Sequence, residues 1–290
     1  MIKYYLLLTI LLCFQASVFA QPDTEVYLLD LTYSNGSYQV SNLKSISQGN
    51  PGYDNQPSFS EDGQHLFYVA TRNGQTDIVS VNLSTDEQEW ISETSEGGEY
   101  SPQLTPDQKS VSAVQLENNG TQLLWQYSLA DKTGEVLIEK AKIGYYAWAN
   151  DQLIVAFVLG EPNTLQIFKT SDNTSEKVTE NIGRSIHKIP ASSKISYISK
   201  KEEEWMIRSL NPKNGKTKAI TCALTGVEDM AWTAEKRILM GKENKLYFKN
   251  PKKDKNWIEI ESFNDLGLSG ITRLAISADG KKLAVVVSGK

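Results

Sequence analysis

From residue 25 onward the chain runs in short stretches where apolar and polar residues alternate. Clusters of Gly, Asn, Asp and Ser break these stretches at short intervals. A period of two marks strands that bury one face, and the breaks mark the turns between them. The pattern also recurs on a longer scale. Pro57-Ser58-Phe59-Ser60-Glu61-Asp62-Gly63 returns near the C-terminus as Leu274-Ala275-Ile276-Ser277-Ala278-Asp279-Gly280. Looser copies stand between them, centred on Leu104, Trp148, Ile189 and Trp232. Taking Phe59 and Ile276 as the outer register marks, successive spacings are 45, 44, 41, 43 and 44 residues. A period of about 40–45 residues with several short strands per unit predicts a β-propeller.

One unit shows how a blade is built. Asp62-Gly63 joins Pro57–Ser60 to His65–Ala70 as a hairpin, since glycine accepts the positive φ of a tight turn. Arg72-Asn73-Gly74-Gln75 turns into Asp77–Leu83, and Ser84-Thr85-Asp86 bends into Gln88–Ile91, completing four strands. After Ile276 only Lys282–Val287 remains, whereas Glu25–Leu31 and Tyr38–Ser41 precede the first unit. Six marks therefore predict an all-β, six-bladed propeller whose last blade takes strands from both termini, which removes the open sheet edges.

The PxFSxDG unit, the apolar strand after it and the Arg72-Asn73-Gly74 turn resemble the WD40-like (PD40) repeat of the TolB-type six-bladed propellers. The resemblance spans residues 25–290 and is closest in the first and sixth copies. TolB itself carries an α/β domain before its propeller, and nothing here fits one. The resemblance implies a bacterial envelope setting and docking of proteins through a channel mouth.

Residues 1–20 read as a secretory signal peptide: a short positive start at Lys3, an apolar Tyr4–Phe14 and a small-residue cleavage site ending at Ala20. Leu12 before Cys13 argues against a lipoprotein anchor. The expected mature chain, residues 21–290, is one propeller domain with no transmembrane segment, periplasmic or secreted, and a monomer. Cys222 is its only cysteine, so no intramolecular disulfide forms and ring closure must supply the stability. Charge is uneven: residues 21–140 hold 5 Lys/Arg against 18 Asp/Glu, and residues 141–290 hold 24 against 17. The acid-diluted basic residues and the exported setting exclude nucleic acid as partner. The charge serves solubility on strand edges, or an acidic patch on the first two blades that meets a basic partner.

Signals for chemistry are sparse. The chain lacks GxSxG, HExxH, a phosphate-binding glycine loop and a cysteine ligand set. Asn211–Lys216 is a polar turn. His65 falls on a surface position, and His187, two residues before Ile189, faces either the channel or the core. The segments three to five residues before the marks should meet at one channel mouth. They supply Asp54, Asn55, Gln56, Glu99, Tyr100, Tyr145, Arg184, Glu228, Asp229 and Arg273 as candidate binding residues. These groups fit three readings: a docking site for an envelope protein or peptide, a water-filled polar channel, or oxygen ligands for calcium. The last would make the chain a calcium-dependent lactonase-like hydrolase, with Asp54, Asn55, Glu99, Glu228 and Asp229 as ligands. Otherwise no cofactor and no catalysis is expected. A further alternative is a carbohydrate-binding surface using tryptophans on the rim. Trp148 and Trp232 read as spacers between blades, and Trp90, Trp125, Trp205 and Trp257 as packing residues.

Overall fold

The repeated Ser-x-Asp turn is held by its own side chains. Ser60 Oγ donates to Asp62 Oδ1 at 2.5 Å, Asp62 Oδ1 accepts the Gln64 N–H, and Ser60 Oγ accepts the His65 N–H at 2.9 Å. Thr105 and Asp107 bond Lys109 and Ser110 in the same way, and Ser277 and Asp279 bond Lys281 and Lys282. The hydroxyl donors hold the carboxyls of Asp62, Asp107 and Asp279 below the usual carboxylate range. The repeated tetrapeptide is thus a self-satisfied hairpin corner, which explains its recurrence after Phe59, Leu104 and Ile276, where the inner strand turns outward.

The computed structural model describes residues 21–95, 97–263 and 267–289. The leader read over residues 1–20 lies outside them. The described residues form six four-stranded antiparallel sheets arranged as propeller blades. Blade 1 is Asn55–Phe59, His65–Arg72, Gln75–Asn82 and Gln88–Trp90. The inner strands of blades 2 to 5 are Gly98–Leu104, Ile143–Trp148, Ile182–Lys188 and Ala231–Trp232.

The sixth blade closes the ring with strands from both ends. Its order is Ser37–Ser45, Thr24–Ser34, Lys282–Ser288 and Arg273–Ile276. Thr24–Asp30 pairs antiparallel with Lys282–Ser288, and Lys282 Nζ meets Asp30 Oδ1 at 2.5 Å. Alternation along Lys282–Ser288 serves both neighbours. Leu283, Val285 and Val287 pack with Leu239, Leu246 and Phe248 of blade 5, and Ala284 and Val286 pack with Leu66, Tyr68 and Val79 of blade 1. The core is therefore a set of apolar layers between adjacent blades.

Two of these layers carry a polar latch in the same repeat position. Ser112 Oγ accepts the Trp148 Nε1–H at 2.9 Å and the Tyr146 hydroxyl at 2.8 Å, and it donates to the Gln103 carbonyl. Ser196 Oγ accepts the Trp232 Nε1–H at 2.8 Å and donates to the His187 carbonyl. Each tryptophan is thereby tied to the second strand of the preceding blade while its ring borders the central channel. A buried indole N–H needs such a partner. The tryptophans expected to be spacers also form part of the channel wall. His65, expected at the surface, is instead half-buried, stacked on Phe67 at 6.3 Å with Nδ1 3.3 Å from Ser80 Oγ.

Candidate functional site

The inner strands surround a channel of about 690 Å³, lined by all six register marks: Phe59, Leu104, Trp148, Ile189, Trp232 and Ile276. They form an apolar girdle. The Ser-x-Asp corners, with Glu61 and Gln108, border one end. The opposite end is bordered by one polar residue from each blade: Gln56, Ser101, Tyr145, Arg184, Asp229 and Arg273.

How these residues face inward depends on irregularities in the inner strands. Pairing shifts register between Asn55 and Ser58, between Tyr100 and Gln103, and between Ile182 and Ile186. Gln56 and Ser101 sit in the left-handed region at φ 56° and 55°. Such bulges re-aim the residues around them. Gln56 Oε1 accepts the Ser101 N–H at 2.7 Å, tying equivalent positions of blades 1 and 2.

The same bulges carry Asp54, Asn55 and Glu99 away from the channel, and all three are buried. Asp54 Oδ1 accepts Asn50 Nδ2 at 3.0 Å and the Thr71 N–H at 3.3 Å. Burial pushes its pKa up to about 6 against those bonds. Asn55 Nδ2 donates to Thr24 Oγ1 at 3.1 Å. Glu99 accepts the Tyr127 hydroxyl at 2.9 Å and Ser92 Oγ at 3.2 Å, and burial pushes it up to about 7. Glu228 lies beside the mouth, ion-paired with Lys200, and Asp229 pairs with Arg273 at 3.4 Å. The five residues considered for calcium are thus divided among three separate environments. Among the described residues no three His, Cys, Asp or Glu side chains are grouped to hold a metal ion. This donor set does not fit calcium.

What does assemble is a cluster of tyrosines and guanidiniums. Arg273 is nine-tenths buried, donates to the Tyr145 hydroxyl at 3.3 Å and lies 5.3 Å from the centre of that ring. Arg184 reaches across from blade 4 to donate to the Thr272 carbonyl at 3.0 Å. Tyr53 and Tyr100 meet edge-on at 6.2 Å, and the Tyr100 hydroxyl accepts Gln21 Nε2 at 3.4 Å. Burial raises the Tyr53 pKa to about 12, opposed by the charge of Arg273. Burial and the adjacent Arg273 lower the pKa of Arg184. Tyr53 escaped sequence reasoning, and Lys200, in the mixed-sign run Lys200–Glu204, reads from the sequence as part of a solvated turn. Tyr53 stands one residue outside the window before its mark, and Lys200 follows a second strand, where no repeat position signals a channel.

Deeper in the channel, His187 Nε2 lies 2.8 Å from Ser185 Oγ. That hydroxyl is buried and also accepts the Met230 N–H at 3.2 Å. Burial lowers the His187 pKa, so the imidazole is neutral at neutral pH. On the rim, cations cover the tryptophan faces. Arg72 lies 4.2 Å over Trp90, Lys200 lies 4.3 Å over Trp205, and Lys249 lies 5.8 Å over Trp257. Trp125 stacks on Tyr127 at 6.3 Å.

No family model matches the chain, and no curated protein matches it in sequence. Solved structures do match its fold. A putative TolB from Agrobacterium tumefaciens aligns with a TM-score of 0.69 at 11% identity, over 92% of this chain and 99% of that one. TolB from Acinetobacter baumannii aligns with a TM-score of 0.57 at 13% identity over 92% of this chain. This chain spans only 65% of that TolB. An oligogalacturonate lyase from Vibrio parahaemolyticus aligns with a TM-score of 0.54 at 10% identity, over 92% and 98% of the two chains. At these identities the likeness establishes fold alone: the chain folds as a six-bladed propeller similar to those of the TolB structures. The fold serves an enzyme as well as TolB, so function has to be argued from the site. Among the described residues no helix is long and apolar enough to cross a membrane.

Proposed function

We propose that this chain is an exported, monomeric, non-catalytic propeller that docks a protein or peptide partner of the bacterial envelope at the tyrosine–arginine mouth of its channel. One observation carries the reading: Tyr53, Tyr100, Tyr145, Arg184 and Arg273 converge on one opening from five blades. Tyrosine and arginine are the residue types that anchor interfaces, because each joins a large contact area to a polar tip. A plain water channel needs polar walls but not a concentration of these two types. The likeness to two TolB structures supports the envelope setting, and the apolar leader in the sequence supports export.

The test uses the mature protein, residues 21–290, with a photo-crosslinking residue at Gln56 and an envelope extract. A discrete crosslinked partner is expected. Its affinity should fall at least about 30-fold when Tyr145 is replaced by alanine, as for an interface anchor worth 2 kcal/mol. Crosslinks that persist unchanged in Tyr145→Ala would place docking elsewhere and remove this reading. The Ser185–His187 contact favours a hydrolytic alternative, because a hydroxyl and an imidazole within bonding distance are the first requirement of an activated nucleophile. Covalent labelling of Ser185 by a fluorophosphonate would establish that alternative in place of docking.

A further inference from the structure

The charge at the tyrosine–arginine mouth is not balanced. Arg184 and Arg273 face it together, and Asp229 is the only carboxylate among the residues that line this end. Glu228 and Lys200 beside it cancel each other. Asp229 is moreover divided: Oδ1 accepts the Leu274 N–H at 3.0 Å, leaving Oδ2 for Arg273 at 3.4 Å. Arg273 makes its two side-chain bonds at 3.3 and 3.4 Å, long for charge-assisted hydrogen bonds, which settle near 2.7–2.9 Å. Arg184 is less well served. Its buried Nε–H has no hydrogen-bond acceptor, and its ion pair with Glu228 is long, at 3.8 Å, to a carboxylate that Lys200 already holds. Two neighbouring guanidiniums with spare donors, half-desolvated at a channel mouth, make a site that lacks an anion.

We infer that this mouth captures a carboxylate of the docked segment, held between Arg184 and Arg273 with the Tyr145 hydroxyl alongside. The inference rests on the docking reading and specifies its chemistry. A guanidinium presents paired N–H donors that match a carboxylate's two oxygens, and the tyrosine rings flank the adjoining residue. The carboxylate comes from a chain terminus or from an Asp or Glu side chain, two sources with the same recognition chemistry. His187, neutral in the channel, adds no competing charge.

The experiment follows the arginine Nε–Hε signals of the ¹⁵N-labelled mature protein by NMR at low ionic strength. The probes are N-acetylglycine and its amide for a terminus, and N-acetylglutamate amide against N-acetylglutamine amide for a side chain. Saturable shifts of Arg184 and Arg273 are expected with an acid, at a dissociation constant on the order of 10 mM for so small a ligand, and none with the matching amide. Whichever acid binds identifies the source. Arg184→Gln should abolish the shifts. Asp229→Asn keeps an oxygen for the Leu274 N–H and removes the competing charge, so it should tighten binding roughly five-fold. A merely structural arginine pair would not respond in that direction. Equal shifts with acid and amide, or no shifts at either arginine, would overturn the inference. If a partner crosslinks at Gln56 but is indifferent to Arg184→Gln, docking stands without carboxylate capture. If the acids bind and nothing crosslinks, the anion site stands without the docking reading.

Discussion

A chain ending at Gly280 should fail to fold into a cooperative propeller. Lys282–Ser288 is the strand on which closure depends, because it pairs with Thr24–Asp30 on one side and with Arg273–Ile276 on the other. Leu283, Ala284, Val285 and Val286 have no exposed surface. Their removal strips both the blade 5 and the blade 1 layers and leaves two unpaired edges. Single substitutions grade the same effect: Leu283→Ala should cost about 2–5 kcal/mol, the range for truncating a buried leucine. Urea melts followed by near-ultraviolet circular dichroism read both changes. A truncated chain that keeps a sharp transition would mean that the remaining blades hold the ring without this strand.

The strand's role is legible in the sequence. The register marks count six units, the last unit lacks two strands and the N-terminus offers two. Strand identity and the hairpin corners were equally readable, since Ser60, Asp62 and Gly63 act within a few residues of one another. The mouth was less so. A window three to five residues before each mark names the right stretch, but strand alternation inside it is reset by the bulges at Gln56 and Ser101. With alternation reset, Asp54 and Glu99 turn into the protein while Gln56 faces the channel. Nothing local announces a left-handed glutamine or serine. The contacts that define the cluster, such as Arg184 with Thr272, join residues 88 apart in sequence, and no repeat position encodes them. Burial of the two acids has a measurable consequence of its own.

Asp54 and Glu99 should make the protein more stable as the pH is lowered from 8 toward about 5.5. Both carboxyls are fully buried, and burial raises Asp54 to about 6 and Glu99 to about 7. In the unfolded chain both titrate near 4. Between these limits the native state binds more protons than the unfolded state, so stability falls as pH rises through 6 and 7 and levels off above. Their contribution is complete below about pH 4 and absent at pH 8. His187 acts in the opposite sense. Its pKa is lowered by burial, so it destabilises the native state as the pH drops below the ordinary imidazole value near 6.5. The carboxyl share must therefore be read against a variant that keeps His187. Relative to Asp54→Asn/Glu99→Gln, wild type should gain roughly 3 kcal/mol between pH 8 and about 5.5, with Glu99 supplying the larger part. Removing the side chain has a different signature. Glu99→Ala leaves the Tyr127 hydroxyl and Ser92 Oγ without their acceptor, and it should lose about 2–4 kcal/mol even at acid pH. Urea melts at several pH values separate the cases. Parallel curves for wild type and the double variant would mean that both carboxylates stay charged inside the fold, and that water or a cation reaches the spaces between the blades.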